Sequence, residues 1–198
     1  MHTVLSYLIA GWSGFFVMSV ELLGGRLLAP TFGSSIYVWG AIITIFMLAL
    51  SIGYLAGGRW SMHSPSVARL GGILIVAALS VLPTLLFGVE LLDWAVVTVP
   101  DPRFGSLLGA TLLFFVPTVF SGMISPYAVR LLVQERDSSG RHAGQLYFVS
   151  TFGSAAGTLS TSFYLVLFFE VNQILIGLLA ISGTLGLFAC IVGRGRGT

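Results

Sequence analysis

The sequence predicts an all-α, polytopic membrane protein, built as a six-helix transmembrane bundle with a short cytoplasmic amphipathic helix after the fourth span. Of the 198 residues, 56% are hydrophobic and only 8% are charged, and the mean hydropathy is +1.00. Several apolar stretches approach or exceed the roughly 20 residues that cross about 30 Å of hydrocarbon. A transmembrane barrel requires short segments of alternating hydrophobicity, which these stretches do not show.

The apolar stretches divide the chain, treated as one transmembrane domain over 1–198, into six spans. The first stretch lies at the N-terminus, but no basic segment or small-residue cleavage pattern marks it as a signal peptide. We therefore interpret it as a retained helix. The spans are placed at about 4–23, 36–58, 67–87, 104–123, 145–169 and 174–192.

The fourth span continues into a segment that is too long for a single crossing. The 33 residues from Phe104 to Arg136 would run about 50 Å as one helix. Pro117, Gly122 and Pro126 offer break points. We expect the span to end near Met123. A cytoplasmic amphipathic helix should follow, with these residues in the membrane interface: Tyr127, Val129, Leu131 and Leu132.

The distribution of arginine predicts the orientation. The chain has nine arginines and no lysine, and seven of the nine lie on the side that holds both termini. By the positive-inside rule, both termini face the cytoplasm. A net charge of +2 that is concentrated in loops indicates membrane topology and gives no reason to expect a nucleic-acid partner.

Glycine pairs at four-residue spacing predict close helix packing. They occur at Gly53 and Gly57, at Gly105 and Gly109, and at Gly153 and Gly157. Small residues at this spacing let neighbouring helices approach each other. The second and fifth spans share such a pair, but the two halves of the chain do not align convincingly as a repeat.

Several longer motifs resemble one protein family. They are GGRLLAP at 24–30, FGSSIYVW at 32–39, GYLAGGR at 53–59, SGMISPYAVRL at 121–131 and GQLYFVSTFGS at 144–154. In this order they resemble the membrane part of the bacterial fused transporter (MFS-like)/spermidine synthases. The resemblance covers essentially the whole chain and implies a multi-pass protein of the bacterial inner membrane.

The sequence departs from this family in one respect. Family members usually carry a cytoplasmic aminopropyltransferase-like domain after the last helix, whereas this sequence ends at Thr198. Its adjacent glycines, Gly24–Gly25, Gly57–Gly58 and Gly71–Gly72, lie in or beside apolar spans, and none has the strand–turn–helix setting of a nucleotide-binding fingerprint. The resemblance therefore implies the membrane module without the enzyme. Catalytic residues stay unknown, and no cofactor is expected.

Glu21 and Arg26 are ionisable residues in the first apolar run, where charge is costly. They are five residues apart, whereas helical neighbours are three or four apart. One interpretation is structural: an ion pair, or Arg26 extending to the outer headgroups while Glu21 finds a polar partner. The other is that Glu21 lines a cavity and binds a cation or an amine.

A candidate substrate site follows if Glu21 is grouped with other residues at the predicted outer ends of the spans. Carboxylates and aromatic faces suit a polyamine, which is a multivalent cation with apolar spacers. The alternative is that these acids are solvated and unpaired. The candidate substrate-binding set is Glu21, Arg26, Tyr37, Trp39, Glu90 and Glu170.

The largest basic patch lies between the fourth and fifth spans. Arg130, Arg136 and Arg141 form it together with His142. The patch either anchors the protein to anionic lipid or docks a cytoplasmic partner. The histidines are scattered without the spacing of metal ligands, so no metal site is expected.

The sequence-based hypothesis is an integral membrane module of a spermidine-synthase-like system. It would anchor or regulate an aminopropyltransferase-like partner, transport a polyamine-related cation, or do both. The alternative is an intramembrane enzyme that acts on a nucleoside or lipid substrate. The lipid bilayer is the expected environment, and assembly into a homo-oligomer stays open.

Overall fold

The computed structural model describes residues 2–133 and 139–194, which are almost entirely helical and contain no strand. The helix α6 continues without interruption through a π-helical turn, Thr161–Leu165, into α7. The helices are α1 (His2–Phe32), α2 (Ile36–Trp60), α3 (Val67–Leu79), α4 (Leu82–Thr98), α5 (Pro102–Leu132), α6 (Ser139–Ser160), α7 (Val166–Phe168) and α8 (Val171–Arg194).

The helix lengths confirm a multi-pass membrane protein. Among the described residues, five helical passes are long and apolar enough to cross a bilayer: α1, α2, α3 together with α4, α5, and α8. The α6–α7 pass is not in this group. Five of the six predicted spans are thus supported by length and hydropathy. The remaining one, the fifth span at 145–169, stays a prediction.

Contacts between the helices give their relative directions. Tyr7 donates a hydrogen bond to Gln145 near the starts of α1 and α6. Arg26, further along α1, donates a hydrogen bond to Val166, further along the α6–α7 pass, so the two passes run parallel. The helices α2 and α5 are also parallel, whereas α1 and α5 are antiparallel. We call the bundle end that holds His2 the proximal end and the opposite end the distal end.

Each parallel pair packs through glycine. In the α2–α5 pair, Gly53 lies against the backbone of Gly122, and Gly57 lies against the backbone of Met123. In the α1–α6 pair, Gly153 lies against the backbone of Gly11, and Gly157 against that of Phe15. These contacts leave no room for a Cβ, so two of the three predicted glycine motifs form close helix crossings.

The two glycine-packed pairs occupy equivalent places in the two halves of the chain, with α1, α2 and α3–α4 in the first half and α5, α6–α7 and α8 in the second. The pair α1–α6 joins the first pass of the first half to the second pass of the second half. The pair α5–α2 joins the first pass of the second half to the second pass of the first, and both pairs are parallel with a glycine crossing. The first passes of the two halves meet directly, since Ser13 of α1 donates a hydrogen bond to the carbonyl of Ser121 in α5 at 3.2 Å. Because α1 and α5 are antiparallel, the halves are related as an inverted repeat.

The predicted amphipathic helix after the fourth span is wrong. The helix α5 continues through Pro117 and Pro126 to Leu132. Tyr127, expected in the membrane interface, is only 1% exposed and accepts a hydrogen bond from the backbone N–H of Ser66 at 3.2 Å. The end of α5 is therefore part of the bundle core and not a separate surface helix.

The continuity of α5 has a local explanation at Pro117. Proline has no N–H, so the carbonyl of Leu113, four residues earlier, loses its helical partner. The buried hydroxyl of Thr84 in α4 donates to this carbonyl at 2.8 Å. A neighbouring helix thus satisfies the acceptor that the proline leaves free, as is typical of proline in membrane helices.

The third pass also differs from its prediction. It breaks at Ser80 and Val81, resumes as α4 and continues to Thr98, with a non-helical backbone at Phe87 (φ −130°, ψ 17°). Pro83 in the first turn of α4 explains the break, because proline is favoured at a helix start and disfavoured in its interior. Glu90, expected just beyond the third span, therefore lies within a helix.

Candidate functional site

Arg26 and Glu21 lie on one uninterrupted helix. The two glycines between them do not loosen α1: Gly24 packs against the ring of Phe114, and Gly25 against the indole of Trp39. Absence of a side chain at these positions lets aromatic rings approach the backbone, so their role in α1 is packing.

Arg26 interacts with α7 and not with Glu21. Its Nη1 donates to the backbone carbonyl of Val166 at 3.3 Å, at the end of the α6–α7 pass. The final carbonyls of a helix lack intrahelical donors, and an arginine there satisfies one of them and complements the helix dipole. The predicted ion pair with Glu21 is therefore not formed among the described residues, and Arg26 instead has a backbone partner, which neither structural interpretation included.

Glu21 is half-buried on α1. Within the described residues it takes part in no side-chain hydrogen bond and no ion pair. It lies one turn before Gly25 and hence on the same face of α1, which brings it to the side where the Trp39 indole packs. Glu21 and Trp39 are the members of the candidate substrate set that the fold places on a common face.

Tyr37 belongs to a different neighbourhood. The guanidinium of Arg103 lies 4.9 Å from the centre of its ring, a cation–π contact. Arg103 stands in the first turn of α5, which Asp101 caps by accepting the Arg103 N–H at 2.9 Å. The exposed Tyr37 ring is thus already occupied by a cation of the chain itself.

Glu90 and Glu170 are both exposed, and no hydrogen bond of the described residues joins them to Glu21 or to each other. Glu170 precedes α8, where its N–H donates to Oε1 of Gln173 at 3.1 Å and its carbonyl accepts the N–H of Ile174. The substrate site of carboxylates and aromatic rings that the sequence predicts thus stays a prediction, with Glu21 and Trp39 as its best-supported pair.

The basic patch lies at the proximal end of the bundle. Arg130 and Arg141 are exposed there, whereas Arg136 lies outside the described residues. Arg130 lines a cavity of about 630 Å³ between the end of α2, the end of α5 and the start of α6. A further arginine of this end, Arg69, is used internally: it donates to the backbone carbonyls of His63 and Ser64.

Sequence reasoning missed a polar cluster between the starts of α1 and α6. The Tyr7 hydroxyl donates to Oε1 of Gln145 at 3.0 Å and lies 3.4 Å from Nδ1 of His142. Nearby, Nε1 of Trp12 donates to the Ser182 hydroxyl of α8 at 2.8 Å. Gln145 at the start of an aromatic-rich span was the available signal, but its partner lies 138 positions away in the chain.

The described residues contain no group of three or more histidine, cysteine, aspartate or glutamate side chains that could hold a metal ion. Comparisons of the chain with protein families, with curated proteins and with solved structures find no match.

Proposed function

We propose that this chain is the membrane module of a spermidine-synthase-like system of the bacterial inner membrane and binds a polyamine-related cation at Glu21. The observation that carries the proposal is the setting of Glu21: a half-buried carboxylate on a membrane-spanning helix, without a hydrogen-bonded or ionic partner among the described residues. An ionisable residue at such a position is by default a functional one.

The neighbouring groups favour a cation as the ligand. The nearest candidate countercharge on α1, Arg26, is directed to the Val166 carbonyl, so the Glu21 carboxylate is left for another partner. The Trp39 indole packs one helical turn away, at Gly25. An indole face beside a carboxylate suits an organic ammonium group, because the ring attracts cations while the carboxylate supplies charge.

The proposal includes six spans and cytoplasmic termini. The α6–α7 pass runs parallel to α1 from the Tyr7–Gln145 bond to the Arg26–Val166 bond, so it extends through the bundle as far as a helix that does qualify as a span. Among the described residues, five arginine positions lie at the proximal end, which supports a cytoplasmic proximal end; they are Arg59, Arg69, Arg130, Arg141 and Arg194. Arg130, at the cavity between α2, α5 and α6, would then face a cytoplasmic aminopropyltransferase-like partner.

The test is a calorimetric titration of spermidine into the purified protein in nanodiscs of zwitterionic lipid, at about 0.15 M salt to screen non-specific attraction. Glu21→Gln should weaken binding at least about tenfold, since a single buried charge contact contributes more than the roughly 1.4 kcal/mol to which this factor corresponds. Asp93→Asn, at an exposed acid of α4, is the matched control and should bind as the wild type does.

Two results would contradict the proposal: equal spermidine affinity of Glu21→Gln and wild type, or an equal loss in Asp93→Asn.

If spermidine binds at Glu21, a second measurement distinguishes transport from anchoring. Uptake of labelled spermidine into proteoliposomes that depends on Glu21 supports transport. Binding without uptake, together with co-purification of an aminopropyltransferase-like enzyme, supports an anchoring or regulatory role.

A further inference from the structure

A groove runs along the α1–α6 pair from the proximal end towards the middle of the bundle. Its deeper part is a cavity of about 590 Å³, lined by residues that include Val4, Leu8, Gly11, Val149 and Gly153. A second cavity of about 490 Å³ adjoins it at the proximal side and shares Tyr7 and Val149 with it. Each volume lies in the range that holds a small ligand.

The deeper cavity has glycine at its base and offers little hydrogen bonding. Gly11 and Gly153 meet backbone to backbone there, so the groove is open where other helix pairs carry side chains. The two polar groups of its wall are already engaged: Trp12 donates to Ser182, and Tyr7 donates to Gln145. Only an apolar occupant fits such a wall, because a polar one would lose its hydrogen bonds to water.

The proximal mouth of the same groove is polar and basic. On α6, Gln145, Val149 and Gly153 follow one another at four-residue spacing and line the groove in this order. Arg141 is one turn before Gln145 and continues the same row, and its side chain is exposed. The imidazole of His142 also lies at the mouth, with its Nδ1 3.4 Å from the Tyr7 hydroxyl.

We propose that the α1–α6 groove binds one anionic phospholipid, with an acyl chain against Gly11 and Gly153 and the phosphate near Arg141. The order along α6, from cation to amide to apolar residue to glycine, matches the order of groups in such a lipid from headgroup to tail. Charge complementarity at the mouth selects an anionic over a zwitterionic headgroup. This site is separate from Glu21, which lies further along α1.

The experiment is native mass spectrometry of the full chain, released from detergent at an energy that removes loosely bound lipid. The probes are phosphatidylglycerol and phosphatidylcholine with identical acyl chains. The wild type should retain one phosphatidylglycerol in preference to phosphatidylcholine. Arg141→Gln should reduce this preference about fivefold, the factor expected for one arginine at a membrane surface.

A second pair of variants tests the tail site. Leu8→Trp places a large ring in the groove and should abolish retention of the lipid, and Val4→Trp should do the same from the next turn. Both positions are more than half exposed, 57% and 61%, so the substitutions do not enter the packed core. Leu48→Trp, at a 53% exposed position of α2 that lines neither cavity, is the control and should retain lipid normally.

The proposal is overturned if the wild type retains both lipids equally, or if lipid retention survives in both Leu8→Trp and Val4→Trp. It is also overturned if Arg59→Gln, at an exposed arginine at the α2 end, lowers the phosphatidylglycerol preference as much as Arg141→Gln does. In that case the preference reflects the basic surface as a whole. Spermidine binding plays no part in these readouts, so this proposal and the Glu21 proposal fail independently.

Discussion

The α2–α5 and α1–α6 pairs are two parallel helix pairs of the bundle that cross at glycine, and they solve the same packing problem with different side chains. Both cross at a glycine pair, Gly53 and Gly57 in one and Gly153 and Gly157 in the other. Among the described residues no side-chain hydrogen bond joins α2 to α5, and the pair includes the ring contact between Phe46 and Phe114, with centroids 5.6 Å apart.

The α1–α6 pair instead carries hydroxyl groups. Thr161 donates to the Ser19 hydroxyl across the pair at 2.9 Å. Other hydroxyls of α6 bond to their own helix, with Ser154 donating to the carbonyl of Ser150 and Thr158 to that of Ser154. The comparison teaches that glycine spacing sets the crossing, whereas the polarity of the flanking residues varies between the two pairs.

The largest expected effect comes from adding a methyl group at a crossing. In Gly57→Ala the new Cβ would overlap backbone atoms of Met123, so the helices must separate and the free energy of unfolding should fall by about 3 kcal/mol. Gly157→Ala should cost a similar amount, because Phe15 backbone atoms occupy the same place in the other pair. The measurement is unfolding in mixed micelles by titration with a denaturing detergent.

The neighbouring glycine supplies the control for this comparison. Nothing lies within 4 Å of a Cβ built at Gly58. Gly58→Ala should therefore stabilise the protein slightly, by about 0.5–1 kcal/mol, through the higher helix propensity of alanine. If Gly57→Ala and Gly58→Ala unfold alike, the close crossing of α2 and α5 is not a feature of the folded protein.

The next largest effect concerns the α2–α5 pair, in which α5 receives one hydrogen bond from α4. Thr84→Val keeps the shape of the side chain but leaves the buried Leu113 carbonyl, freed by Pro117, without a donor. The expected loss is about 2 kcal/mol of unfolding free energy, the cost of a buried unsatisfied acceptor. Thr111→Val, which removes a hydroxyl that bonds within its own helix, should cost clearly less. Equal losses would show that the Thr84 contact carries no special weight.

The smallest effect is expected for the hydroxyl contact of the other pair. A double-mutant cycle with Ser19→Ala and Thr161→Val should give a coupling energy of about 1 kcal/mol, within the range found for hydrogen bonds between membrane helices. Ser51→Ala with Thr161→Val is the control and should show no coupling, because Ser51 bonds to Met47 in its own helix. A coupling of zero for Ser19 and Thr161 would mean that α6 is held by glycine packing alone.

The helical, multi-pass architecture could be predicted because composition and apolar length determine it. Two elements could not. Pro117 and Pro126 predicted a break in α5, and this was wrong. The local sequence does not reveal that Thr84, 29 positions before Leu113, donates to the Leu113 carbonyl that Pro117 leaves free. Likewise, the sequence shows the hydroxyl groups of the fifth span, but only the fold shows which bond to their own helix and that Thr161 bonds across to Ser19 of α1.

The candidate site was predictable only in part. Glu21 and Arg26 stood out as charges in an apolar run, but their spacing could not reveal that Arg26 bonds to Val166 in a distant helix. Grouping Tyr37 with the acids failed to anticipate Arg103, which lies over its ring. Contacts of this kind depend on which helices are neighbours, and hydropathy and motif spacing do not encode that.

The central position of α1 has a consequence for biogenesis. It contacts every other pass of the bundle, from α2 to α8. Two of these partners, α6 and α8, are synthesised only after the three passes that follow α1. Gly11 and Gly14, which receive the α6 backbone, therefore have no α6 partner until then. Assembly thus ends with long-range contacts that close slowly, and immobilising α1 before α6 inserts should trap the chain without the α1–α6 crossing.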